Sequence, residues 1–157
     1  MEMDFGGLAK GYAASRALEP LAQWGVSSAL INLGGSSIVT SPGGREWLVG
    51  VADPACPQRY AAILVAKGGT SVSCSGTYER RHIFDPRTGE AVGGLRSAVA
   101  VTKSAVLGEV LSKTLLLEGN TPSPGLEYLR LTASMEGTTT VESNLHHTSI
   151  LERRGES

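Results

Sequence analysis

The chain has 157 residues, with 14 Lys plus Arg against 15 Asp plus Glu: room for one domain with its own core, and no excess of positive charge for sequence-independent nucleic-acid binding. Hydrophobic residues make up 41% and charged residues 18%, a globular balance outside the disordered class. Apolar runs such as 61–66 fall far short of the ~20 residues of a membrane-crossing helix, and Cys56 and Cys74 are too few for a disulfide scaffold and lack zinc-ligand spacing.

Residues 7–25 place Ala9, Tyr12, Ala13, Ala17, Leu18, Leu21 and Trp24 at spacings of mostly three and four, which predicts an amphipathic helix bent or split at Pro20. The apolar run 28–33 stops at Gly34-Gly35 and reads as a buried strand entering a tight loop. Residues 47–51 and 60–66 read as two strands separated by the turn formers Asp53-Pro54 and Cys56-Pro57, and 70–75 as another after Gly68-Gly69. A β-rich run covers 96–102. Ser104 is placed to cap a helix running to about Glu118 and ending at Gly119-Asn120. Residues 124–132 predict a last short helix, and 138–141 a strand, with a frayed tail at 142–157 after a domain spanning 1–141. No strict βαβ alternation or internal repeat is present, which favours an α+β arrangement with a mixed or largely antiparallel sheet and packed helices.

Four stretches carry residues suited to chemistry. In Asp4-Phe-Gly-Gly-Leu-Ala-Lys-Gly-Tyr12 a carboxylate, a glycine pair and Lys10 surround a helix start, an arrangement that attracts phosphate and that also fits a simple cap with a solvated lysine. Asn32-Leu-Gly-Gly-Ser36 is a strand end at which glycine admits a ligand to the backbone, or an ordinary turn. In Ser75-Gly-Thr-Tyr-Glu-Arg80 and His82-Ile-Phe-Asp85-Pro-Arg87-Thr88-Gly89 the imidazole of His82 is a candidate base, although an extended chain places His82 and Asp85 on opposite faces. Asp85-Pro-Arg-Thr-Gly is also good turn chemistry. Glu109 and Lys113 stand four apart on one helix face, the favourable order for a surface ion pair of about 0.2–0.5 kcal/mol.

In order, these stretches resemble the ApbE family of FAD:protein FMN transferases. The segment from Asp4 to Ala13 is similar to that family's D-x-G-x-x-A-K-G-Y-A helix start, and 29–35 to its A-L-I-N-L-G-G strand and loop. Trp47-Leu-Val-Gly-Val-Ala-Asp-Pro54 resembles its W-x-V-G-I-x-D-P strand, and 75–80 with 82–89 resemble S-G-D-Y-E-R and H-I-I-D-P-R-T-G. The resemblance implies an ApbE-like partial domain, the C-terminal half of the family's fold, that splits FAD, passes FMN to a Thr hydroxyl of an acceptor flavoprotein and releases AMP. It implies that Lys10, Asn32, Gly34, Gly35, Asp85, Arg87 and Thr88 border the FAD, and that His82 accepts the hydroxyl proton. The Gly7 carbonyl and Glu109 would hold Mg²⁺, and the bacterial cell envelope or periplasm is the expected compartment.

Departures from the family pattern sharpen these expectations. Ser36 replaces the Asp of G-G-D, and Glu109 and Lys113 replace a metal-binding Asp and Thr. An ammonium has no lone pair for a metal and repels it, so the phosphate site is expected to respond little to Mg²⁺. The family's preceding half, which helps hold the flavin, has no counterpart before Asp4, so weak FAD binding is expected. A non-catalytic homologue that binds a flavin, a nucleotide or a protein, and a hydrolase that passes FMN to water, are the alternatives.

Overall fold

The computed structural model describes residues 5–77, 83–117, 125–134 and 136–145. Among these residues two helices, a six-stranded sheet and a two-stranded hairpin stack as three layers. The chain begins with α1 (Ala9–Gln23), then β1 (Leu30–Leu33), β2 (Ser37–Thr40), β3 (Trp47–Ala52), β4 (Tyr60–Ala66), β5 (Ser71–Gly76) and β6 (Leu95–Thr102). It continues with α2 (Ala105–Thr114), β7 (Glu127–Ala133) and β8 (Thr139–Ser143). The central sheet has the order β1-β2-β5-β6-β7-β8, with β3 and β4 forming the separate hairpin. Every pairing among the described residues is antiparallel.

Alternation along the strands separates two unlike faces of the central sheet. Ile38, Val72, Val99, Val101, Leu129 and Leu131 point to one side, where Val49, Val51, Ala62, Leu64 and Ala66 of the hairpin cover them in a continuous aliphatic core. The opposite side carries α1 and α2. There β5 presents serines: Ser75 Oγ lies 2.9 Å from Ser112 Oγ of α2, and a Cβ at Gly108 would come within 2.6 Å of Ser73 Oγ. Small side chains on both surfaces thus let α2 sit close to the sheet. The hairpin is tied down at its tip, where Thr139 Oγ1 of β8 donates to Asp53 Oδ1 at 2.6 Å.

Both helices lie where the sequence places them, with shifted ends. Pro20 stands in the last turn of α1 without splitting it, since its missing N–H removes only one internal bond. Ser104 caps α2 by accepting from Leu107 N at 3.3 Å. The helix closes at Thr114, short of Glu118, because Leu116 and Leu117 turn back to the Lys113 and Thr114 carbonyls at 3.1 and 3.2 Å. Gly119 and Asn120 lie outside the described residues.

Two elements differ from expectation. The segment predicted as a last helix is β7, because Leu129 and Leu131 share one face while β6 and β8 bond it on both sides. Between the Gly-Gly loop and β3 there is an additional strand, β2, whose four residues are all buried. Strand β8 runs two residues past Val141, and Asn144 closes it by bonding Tyr128 N and the Leu126 carbonyl at 3.0 and 2.8 Å. The remainder of the expected tail, 146–157, lies outside the described residues.

Candidate functional site

The start of α1, the β1–β2 turn and the middle of α2 meet on the polar side of the sheet. Gly11 makes the meeting possible: a Cβ there would stand 2.6 Å from the Ala105 carbonyl oxygen and 2.9 Å from Glu109 Cγ, so only a hydrogen fits between the helices. Ala14, Val39 and Ala105 fill the space behind it. This packing brings Gly7 of α1's leading turn over Lys113 of α2, and the Lys10 side chain alongside Gly34.

Glu109 is 1% exposed, and each of its carboxylate oxygens has a partner. Ser37 Oγ of β2 donates to Oε1, and Lys113 Nζ donates to Oε2 at 2.9 Å. The same ammonium donates to the Gly7 carbonyl at 3.1 Å and to the Glu109 carbonyl at 3.0 Å. Spacing alone reads Glu109 and Lys113 as a surface pair; here the acid is buried and the lysine, 31% exposed, closes over it. A buried carboxylate requires such a counter-charge, and losing it would leave an uncompensated ion.

Gly7 and Glu109, which the resemblance assigns to magnesium, are therefore joined by an ammonium instead. The donor set does not fit a divalent ion: both carboxylate oxygens and the Gly7 carbonyl are already bonded. Among the described residues no three His, Cys, Asp or Glu side chains gather to hold a metal.

The β1–β2 turn is held from within. Asn32 Oδ1 accepts from Gly35 N at 2.9 Å, and Gly34 and Gly35 adopt φ of 63° and 70°, the left-handed region that glycine tolerates. Asn32 is thus a turn former as well as an exposed amide.

Asp85, Arg87 and Thr88 belong to a different loop. Phe84 bridges Ala91, and the Asp85 carbonyl accepts from Thr88 N and Gly89 N at 3.2 and 2.8 Å, the expected turn. Arg87 grips the Asp85 carboxylate through Nη2 at 2.6 Å and Nε at 2.9 Å. The Arg87 hydrogen bonds, from side chain first and backbone second, lower the Asp85 carboxyl to about 2. Asp85, Thr88, Glu90, Arg96 and Leu117 border a pocket of about 200 Å³ at the end of the α2 segment. His82, Asp4 and the rest of 78–82 lie outside the described residues.

Two contributors escape sequence reasoning. Ser37 holds the second Glu109 oxygen from a strand that reads as loop, and Gly11 sets the helix spacing. Gly11 leaves a signal: a glycine on the same helix face as Ala14 marks a close packing seam.

The sequence profile of the ApbE family matches residues 1–137. The chain belongs to the ApbE family. The ApbE chain is 38% identical over 125 residues to a FAD:protein FMN transferase of Klebsiella pneumoniae (strain 342), covering 74% of this chain and 38% of that relative. To a FAD:protein FMN transferase of Treponema pallidum (strain Nichols) it is 34% identical over 108 residues, covering 57% of this chain and 30% of the relative. Its fold is similar to the apo form of the Pseudomonas stutzeri flavinyl transferase ApbE, with a TM-score of 0.67 at 23% identity over 90% of this chain and 48% of that one. The flavin transferase ApbE of Vibrio cholerae gives a TM-score of 0.67 at 21% identity, over 90% of this chain and 50% of that chain. The ApbE chain described here thus spans half or less of the length of these relatives.

Proposed function

We propose that this chain carries the phosphate-facing part of an FAD:protein FMN transferase. The observation that carries the reading is the convergence of Gly7, Lys10, the Gly34-Gly35 turn and the Glu109–Lys113 pair on one side of the sheet, in a chain of the ApbE family. In the proposed reaction a Thr hydroxyl of an acceptor flavoprotein attacks the FMN phosphorus of FAD. A P–O bond of the pyrophosphate breaks and AMP leaves. Lys10 supplies positive charge beside the transferring phosphate, and His82 takes the hydroxyl proton. Asn32, Gly34 and Gly35 form the wall that meets the nucleotide, and the Asp85–Arg87–Thr88 turn shapes the adjoining loop. The bacterial cell envelope is the proposed compartment.

The test is to incubate the chain, alone and mixed with the N-terminal half of a full-length relative, with FAD and a Thr-bearing acceptor, following the mass gain of one FMN on the acceptor. Transfer that falls by roughly 10²–10⁴ on His82→Asn supports the reading. No FMN transfer in either mixture, or a loss under tenfold, counts respectively against the function or the His82 role. A second reading, a non-transferring member that binds flavin or nucleotide, is favoured by one observation: Lys113 bonds the oxygens on which the family pattern places a metal. FAD binding without transfer to acceptor or to water would select it.

A further inference from the structure

We propose that the Lys113 ammonium is a built-in occupant of the family's cation position, and that this chain takes no divalent ion there. The three N–H groups of the ammonium meet three oxygens, those of the Gly7 carbonyl, the Glu109 carbonyl and Glu109 Oε2. Its full donor capacity is thereby used. The remaining carboxylate oxygen of Glu109 is taken by Ser37. Magnesium requires near-octahedral oxygen coordination, and an incoming ion would have to displace the ammonium from the Gly7 and Glu109 oxygens it bonds and expel a tethered charge.

The lysine stem also fills the space. A Cβ at Gly7 would lie 3.6 Å from Lys113 Cε, so the chain of the lysine passes against the backbone whose carbonyl it holds. Tethering matters because Lys113 stands one turn from Glu109 and is present at every moment, whereas a free ion must be recruited from solution. Charge is altered as well: a carboxylate with an ammonium sums to zero, and with a divalent ion to one positive charge. The attraction for a nucleotide phosphate then falls to Lys10, whose side chain runs alongside Gly34 and has no ion-pair partner among the described residues.

Metal alone tests the idea without reference to catalysis. Mn²⁺ titrated into the native chain and followed by the paramagnetic resonance of the free ion should show no saturable uptake that depends on Glu109 up to about 1 mM, where weak oxygen sites fill. Uptake that Glu109→Gln abolishes overturns the proposal. Lys113→Thr with Glu109→Asp, checked for native circular dichroism, should bind Mn²⁺ at least roughly tenfold more tightly; a folded double variant that gains nothing overturns it, since something other than the ammonium would then close the position.

A second measurement uses the native chain only. Lys113 should acetylate roughly tenfold more slowly than the exposed Lys103, and the ratio should stay the same in millimolar Mg²⁺. Faster acetylation of Lys113 on adding Mg²⁺ means that the ion displaces the ammonium, and the proposal falls. The nucleotide arm rests on the proposed function: FAD should bind equally in EDTA and in Mg²⁺, and a strict Mg²⁺ requirement overturns the ammonium proposal. Failure of FAD to bind under either condition is a failure of the flavin reading, while the Mn²⁺ and acetylation results decide the ammonium separately.

Discussion

The two faces of the central sheet are built on opposite principles. Under the hairpin, Val99, Leu129, Leu131 and Leu64 are fully buried and packed aliphatic against aliphatic. Under the helices, Ser37, Ser71, Ser73, Ser75, Ser112 and Glu109 are buried beside the apolar Ala98, Ala100, Leu115 and Leu116. The first face resists change through volume, as close-packed cores do. The second brings two helices near enough for backbone and side chains of distant segments to touch, and it bears the unpartnered hydroxyls of Ser71 and Ser73. The larger aliphatic core and the candidate site thus lie on opposite sides of one sheet.

Four measurements can break or sharpen that division. Leu129→Ala should have the largest effect, costing about 2–5 kcal/mol as a cavity opens in the aliphatic layer. Denaturant unfolding reads it, and Lys113 acetylation in the folded variant should be unchanged; a large change there would join the two faces into one unit. Gly11→Ala follows at about 1–3 kcal/mol, since the added methyl meets the α2 backbone. In contrast to Leu129→Ala, it should speed acetylation of Lys113 by pushing α1 off the pair.

Ser73→Ala should reverse the sign. It removes a hydroxyl with no partner, so stability should be unchanged or rise by up to about 1 kcal/mol; a loss above that would mean the hydroxyl is bonded after all. The smallest effect belongs to the Asp85 turn, apart from both faces. Its carboxyl is lowered to about 2 in the fold, below the ordinary value of about 3.9. The turn is therefore supported above that ordinary value and loses support as pH falls from it through the folded one. Amide protection at Gly89 and Val92, taken against the intrinsic exchange rate at each pH, should fall over that window in the native chain and show no such step in Asp85→Asn, with global unfolding unaffected in both.

How much was legible in the sequence follows the same division. Strands β3, β4, β5 and β6 stand out because the hairpin side demands apolar residues, and these form visible runs between turn formers. Strand β2, Ser-Ile-Val-Thr, is buried at all four positions, yet Ser37 and Thr40 are polar because their neighbours hold carboxylate and carbonyl oxygens. Polar residues next to Gly-Gly read as loop. Strand β7 was masked by leucines at 126, 129 and 131, whose first interval of three mimics a helix; only the 129–131 step has the strand period. At the site, the helix-start motif led to Gly7 and Lys10, and the position of Lys113 signalled a conflict with a metal. The burial of Glu109 was invisible, because four-residue spacing is identical for surface and interior pairs. Only a partner on a distant strand, Ser37, makes the difference.

The bond from Lys113 to the Gly7 carbonyl joins residues 106 apart in the chain. Such a contact cannot form early: closing so long a segment costs entropy that one bond does not recover. The bond requires α1 to be docked against α2, so it is expected to form after the β2–β5 and β5–β6 pairings on which α2 is seated. Lys113 closure is thus a reporter of completed assembly, and its protection from acetylation should trail the recovery of the strand amides in a refolding experiment.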